Sequence, residues 1–135
     1  MIASVRGTPQ LYYGDEIGMR GDKGKGDGAI RQDFPGGWEG DEQSAFTAEG
    51  RTETQSQYFE LTSKLLNFRK ENEVLQFGKM LQFLPENNVY VYFRYNDENR
   101  VMVVINNNAK DQTLDLKKYA EGIQNSTSGK EIISG

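Results

Sequence analysis

Residues 14–50 carry no hydrophobic period, neither that of a helix nor that of a strand. Nine of the fifteen glycines fall between Gly14 and Gly40. A connection of roughly 35 residues is out of proportion in a compact domain. Two readings remain: a linker, or a functional loop whose scaffold is largely elsewhere. Phe34, Trp38 and Phe46 count against a linker, because disordered segments are poor in large aromatics. The fold must therefore be built from the two flanks of this stretch.

The upstream flank is short. Arg6-Gly7-Thr8-Pro9 is turn-like, and Gln10-Leu11-Tyr12-Tyr13 is a brief run of β-formers stopped by Gly14. Its apolar residues do not alternate with polar ones, which predicts a strand buried on both faces, as in parallel sheets. Such a strand needs neighbours for its backbone groups. Downstream, Thr52 and Gln55 fit a capping box. Tyr58, Leu61, Leu65 and Phe68 then recur at three- and four-residue steps, which predicts a helix over 54–71.

After the helix the period changes. Residues 74–84 read as a strand that Gly78 can interrupt. Val89, Val91, Phe93 and Tyr95 alternate with Tyr90, Tyr92 and Arg94, and Asn96-Asp97-Glu98-Asn99 makes a turn. Residues 101–105 are apolar on both faces, as in the middle of a sandwich. Residues 113–116 read as a shorter strand, and Ile132-Ile133 begins another. The expected architecture is α/β plus all-β: half of a βα unit over 1–72, then an incomplete antiparallel β-sandwich over 73–135. That is the C-terminal piece of a larger α/β protein.

The 135 residues include no cysteine and no histidine. Disulfides, thiolate metal sites, a Ser-His-Asp triad and an HExxH zinc site are all excluded within the chain. The net charge is −4, and the basic group Arg20, Lys23 and Lys25 is diluted by Asp22 and Asp27, which argues against nucleic acid. No apolar run approaches the ~20 residues of a membrane span. The first residues lack a basic stretch leading into a longer apolar one, so no signal peptide is read there.

Few residues suggest chemistry. Asp15 and Glu16 are adjacent at an expected strand end and would point opposite ways, which does not suit an acid/base pair. "GDKGKGDG" (21–28) lacks the ending of a phosphate loop and the ligand spacing of an EF-hand, leaving a surface loop. Asp41-Glu42 and Asp97-Glu98 read as solvated turns. Arg31, Asp33, Phe34 and Trp38 lie within eight residues. Sugars present apolar C–H faces to aromatic rings and hydroxyls to polar partners, so this group suits a sugar. Phe34 and Trp38 could equally anchor the loop. Tyr90, Tyr92 and Tyr95 could form a sugar-binding stripe or simply pack across strands.

These motifs carry a family resemblance. "RGTPQLYYGDEIGM" (6–19) resembles the eighth barrel strand of the α-amylase family of glycoside hydrolases, with Gly7, Pro9, Tyr13, Gly14 and Glu16 matching. "GAIRQDFPGGW" (28–38) resembles the loop that follows. More narrowly it is similar to the neopullulanase and cyclomaltodextrinase branch from Bacteroides-like bacteria. "LLNFRKEN" (65–72) resembles the last barrel helix, and the β module resembles the C-terminal domain.

The resemblance implies that residues 1–72 close a (β/α)8 barrel whose active site lies on loops at the strand ends. It implies that Tyr13, Gly14 and Glu16 form a structural strand end. Arg31, Asp33, Phe34 and Trp38 would face the substrate cleft. The family's catalytic carboxylates and its histidine would all precede Met1, so this polypeptide alone is expected to be inactive. The implied substrates are α-glucan oligosaccharides, cyclodextrin or pullulan. No cofactor is indicated, although a parent enzyme could bind calcium. A bacterial periplasmic or cytoplasmic location rests on the family alone. An orphan strand at 11–13 would favour self-association. The alternative is a stand-alone, non-enzymatic carbohydrate-binding or interaction module.

Overall fold

A computed structural model of the chain describes residues 1–134. They form two compact units. One comprises Met1–Pro9 and the chain from Leu65 onward; the other is Gln10–Lys64.

The first unit is built on a three-stranded antiparallel sheet in the order β1-β2-β3, with β1 at Lys79–Gln82, β2 at Val89–Tyr95 and β3 at Arg100–Asn106. Alternation in β2 sends Val89, Val91 and Phe93 to one face, where they form the core. Leu81, Phe83, Met102, Leu114, Tyr119 and Ile123 pack on them. Phe83 meets Phe93 and Tyr119 edge-on, at 6.0 and 5.0 Å between ring centroids. Gly122 lies under this cluster; a Cβ there would fall 2.4 Å from the Phe93 ring, so no larger residue fits.

The opposite face of β2 is buried as well. Tyr92 and Arg94 are 0% and 1% exposed. The Tyr92 hydroxyl lies 2.6 Å from Ser4 Oγ, which ties the N-terminal residues to the sheet. The turn into β2 places Asn87 and Asn88 at φ 50° and 57°, a conformation asparagine tolerates better than most residues. The next turn is organised by Asn96 Oδ1, which accepts the N–H groups of Glu98 and Asn99.

Helix α1 (Glu53–Glu71) forms where its period predicts. Its capping box is reciprocal: Thr52 N–H donates to Gln55 Oε1 at 2.8 Å, and Gln55 N–H donates to Thr52 Oγ1 at 3.2 Å.

Several expected strands do not form. Residues 74–84 divide into a short helix α2 (Glu73–Gln76) and then β1. The Phe77 and Gly78 N–H groups close a helical turn on the Glu73 and Val74 carbonyls. A Cβ at Gly78 would meet the Val74 and Tyr95 carbonyl oxygens at 2.3 and 2.8 Å, so the chain changes course where only glycine fits. Residues 113–116 stay irregular and lead into a 3-10 turn at Leu116–Tyr119, capped by the Asp115 carboxylate on Lys117 N–H, and then α3 (Ala120–Ile123). Around Ile133 the Glu131 carboxylate takes the local N–H groups instead of a strand partner. Among the described residues there is one sheet, so the β domain is three-stranded rather than a two-sheet sandwich.

Residues 11–13 form no strand either. Leu11, Tyr12 and Tyr13 are 37%, 56% and 44% exposed. A parallel strand needs partners on its flanks, and the chain offers none here. The Tyr12 N–H instead donates to Asp15 Oδ2 at 2.9 Å.

Candidate functional site

The unit Gln10–Lys64 contains the residues with a sugar-like pattern. Their setting is a sequence of tight turns. Gly14 (φ 90°) opens a 3-10 turn at Asp15–Ile17, and Ile17 is buried beneath it. Glu16 Oε2 accepts the Gly14 N–H at 2.8 Å, so both carboxylates of the Asp15-Glu16 pair bind local backbone. Gly18 follows at φ 65°, with the Tyr58 ring where a side chain would stand. Tyr13 Oη donates to the Gln32 carbonyl at 3.0 Å, bringing the start of the loop against its later part.

Residues 21–28 form two 3-10 turns, Lys23–Lys25 and Asp27–Ala29. Their charges neutralise one another: Lys23 pairs with Asp27, Lys25 with Asp22 at 3.8 Å, and Arg31 with Asp27 at 3.9 Å. All are well exposed, so these pairs add little stability.

Residues 34–51 are held more firmly. Asp41 Oδ2 accepts the N–H groups of Gly36 and Trp38 at 2.8 and 3.2 Å. Ala45, 2% exposed, donates its N–H to the Pro35 carbonyl. Gly36 (φ 90°) lies against Ser44, and a Cβ on Gly50 would fall 1.9 Å from the Ser44 carbonyl oxygen. Gln43 Nε2 donates to the Gly50 carbonyl at 2.6 Å, and Arg51 Nη1 to the Ala45 carbonyl at 3.2 Å. The Arg51 guanidinium also stacks over Phe59 at 3.9 Å. Asp41 is thus an organiser of the loop and not only a solvated turn residue. Neither it nor Gln43 nor Arg51 is marked by the sequence pattern. The one hint is that acids, amides and arginine beside glycine-rich turns have backbone groups to satisfy.

The four candidate residues divide. Phe34 stacks on Phe46 at 4.6 Å between ring centroids, which makes it an anchor. Asp33 and Phe34 line an open cavity of about 500 Å³ with Pro35, Gly40, Asp41, Glu42 and Gln43. Arg31 and Trp38 do not line it. Trp38 is 67% exposed, its backbone fixed by Asp41 and its ring free of any ring partner among the described residues. The tyrosines of β2 do not form a stripe. Tyr92 is buried, Tyr90 donates its hydroxyl to Gln82 Oε1, and Tyr95 lies on the opposite face of the strand. No group of three or more acidic residues that could hold a metal occurs among the described residues. No described helix is long and apolar enough to cross a membrane.

Comparison with known proteins relates the sequence to others. Residues 80–135 match the Cyclo-malto-dextrinase C-terminal domain. The chain is 29% identical over 126 residues to a cyclomaltodextrinase of Thermoanaerobacter pseudethanolicus, covering 93% of this chain and 19% of that enzyme. It is 30% identical to an amylopullulanase of Thermoanaerobacter thermohydrosulfuricus over 84% of this chain and 7% of that enzyme. It is 26% identical to a maltogenic α-amylase of Bacillus acidopullulyticus over 98% of this chain and 21% of that enzyme. The chain therefore spans about a fifth or less of these relatives. With the motifs at 6–19 and 28–38, these matches relate the chain to the α-amylase family of glycoside hydrolases, in whose members it corresponds to the C-terminal part.

Proposed function

We propose that this chain is the C-terminal part of a glycoside hydrolase that cleaves α-glucosidic bonds in starch-derived oligosaccharides, cyclodextrin or pullulan. Retaining hydrolysis needs two carboxyl groups about 5 Å apart, one a nucleophile and one a proton donor. Asp15 and Glu16, the adjacent acids, are both engaged with backbone N–H groups and do not form such a pair. In this reading, as the family resemblance implies, the catalytic acids belong to the enzyme outside this chain. In that enzyme residues 1–72 close the catalytic barrel, with Tyr13, Gly14 and Glu16 ending its last strand. Residues 73–135 form the β domain. The narrower assignment is to the neopullulanase and cyclomaltodextrinase branch.

The observation that carries this reading is the Trp38 ring, presented to solvent from a loop whose backbone is already fixed. A loop ordered before binding loses little entropy when a ligand arrives. An exposed indole offers the flat apolar face that a glucose ring covers, with Arg31 and Asp33 nearby in sequence for its hydroxyls.

The reading is tested in two steps. The isolated chain is incubated with maltooligosaccharides, cyclodextrin and pullulan, and no reducing sugar is released. Release that disappears on mutating a residue of this chain would overturn the proposal. The chain joined to its upstream coding sequence is then assayed with and without Trp38→Ala, and the variant raises KM. Tight calorimetric binding of maltoheptaose by the isolated chain would favour the stand-alone binding module instead.

A further inference from the structure

Arg69 and Arg94 are the only buried charged residues described, at 8% and 1% exposure, and both lie in the sheet-bearing unit. Buried charges are ordinarily paired with opposite charges. Here both guanidiniums donate to backbone carbonyls. Arg69 donates from Nη1 to Ala3 and Val5 at 3.2 and 3.3 Å, and from Nη2 to Gly7 at 2.6 Å. Arg94 donates from Nη1 to Ser4 and Val5 at 2.9 Å each, and from Nη2 to Gly78 at 2.9 Å. Four of these carbonyls thus come from residues 3–7.

Those residues have the marks of a helix end. Val5 N–H donates to the Met1 carbonyl, a four-residue helical step, and Ser4 N–H and Oγ donate to the same oxygen. Gly7 follows at φ 97° and Pro9 two residues later, the order in which helices commonly stop. The last four carbonyls of a helix have no donor within it, and its C-terminal end carries a partial negative charge that favours cations. Carbonyls of three successive residues, Ala3, Ser4 and Val5, taken up by two guanidinium forks match both requirements. Two like charges can share this site because what they face is the negative end of aligned peptide dipoles.

We propose that Arg69 and Arg94 form a receptor for the C-terminal end of an α-helix, and that Met1–Val5 occupies it as that helix's last turn. The partner is a helix terminus, recognised through its backbone and not through a side-chain carboxylate. Ala3, which is buried, is then held to a small side chain.

The test adds a helix-forming segment of about 12 residues, built from Glu-Ala-Ala-Ala-Lys units, directly before Met1 of the full chain. On its own a segment of this length is marginally helical. Docked at the receptor, it is expected to become helical through to Val5. Far-UV circular dichroism gains the corresponding signal, and the amides of residues 1–5 exchange at least roughly tenfold more slowly. In the Arg69→Met/Arg94→Met variant the same extension gains no more helix than the free peptide. Arg94→Lys, which keeps the charge and loses the fork, gives an intermediate gain. An extension that stays unstructured on the wild-type chain overturns the proposal, as does one equally helical in the double variant. Displacement of residues 3–7 by added acetate would also overturn it, by identifying a carboxylate site. Should the double variant fail to fold, the wild-type chain with and without the extension decides alone.

Discussion

Tyr92 shows how one residue couples burial to pH. Its phenol is pushed above the usual tyrosine range, foremost by burial; Tyr90 adds to the rise, while the Ser4 hydrogen bond and the Arg94 charge oppose it. A raised value means that the folded state holds the proton more tightly than the unfolded one. The resulting stability is complete below the unfolded tyrosine value of about 10, and is lost as pH rises through the folded value. Urea unfolding followed from neutral to strongly alkaline pH should show a steeper loss in the wild-type chain than in Tyr92→Phe. At neutral pH the same substitution costs about 1 kcal/mol through the lost Ser4 hydrogen bond. Equal slopes at high pH would remove Tyr92 from this role. Nothing in the sequence signals it, because Tyr92 and Arg94 sit where alternation predicts the polar, outward side of β2. They face inward because residues 3–7 cover that side.

Elements whose determinants are local were legible. Helix α1 follows from its three- and four-residue spacing and from a capping box that forms as the pattern Thr52–Gln55 implies. Thr52→Ala should cost about 1 kcal/mol, read from the shift in the urea midpoint. The substitution removes Thr52 Oγ1, the acceptor of the Gln55 N–H, and leaves the Thr52 N–H donor in place. An unchanged midpoint would mean that the helix start is held by the loop alone. β2, β3 and the Asn96 turn were equally plain. Elements that depend on partners were not. Residues 74–77 have strand-like composition but close a helical turn, and residues 11–13 read as a strand yet have no neighbour to pair with. In the loop, the aromatic residues and Arg31 stood out, whereas Asp41, Gln43 and Arg51 act through backbone groups whose positions no local pattern reveals.

At the scale of the whole molecule, the sheet has two edges, β1 and β3. β1 is short and begins with Lys79, a charged residue of the kind that blunts an edge. β3 is seven residues long, apolar from Val101 to Ile105, with Val104 44% exposed. An unprotected apolar edge of this kind is a template for pairing with another copy. Sedimentation equilibrium should show association that grows with concentration, and Val104→Lys should suppress it. A wild-type chain that stays monomeric across the range would show that this edge is already satisfied. Association of this kind would run through β3; residues 11–13 form no strand, and the Tyr12 N–H is taken by Asp15.

Trp38 is the chain's single tryptophan, and most of its surface meets water. Its emission in the native protein should therefore already resemble that of a free indole in solvent. Denaturant titrations followed by fluorescence should show almost no shift in wavelength while circular dichroism reports a full transition. The same property makes the indole a clean optical probe. Any ligand that covers the ring would move its emission to the blue against a background that unfolding does not disturb.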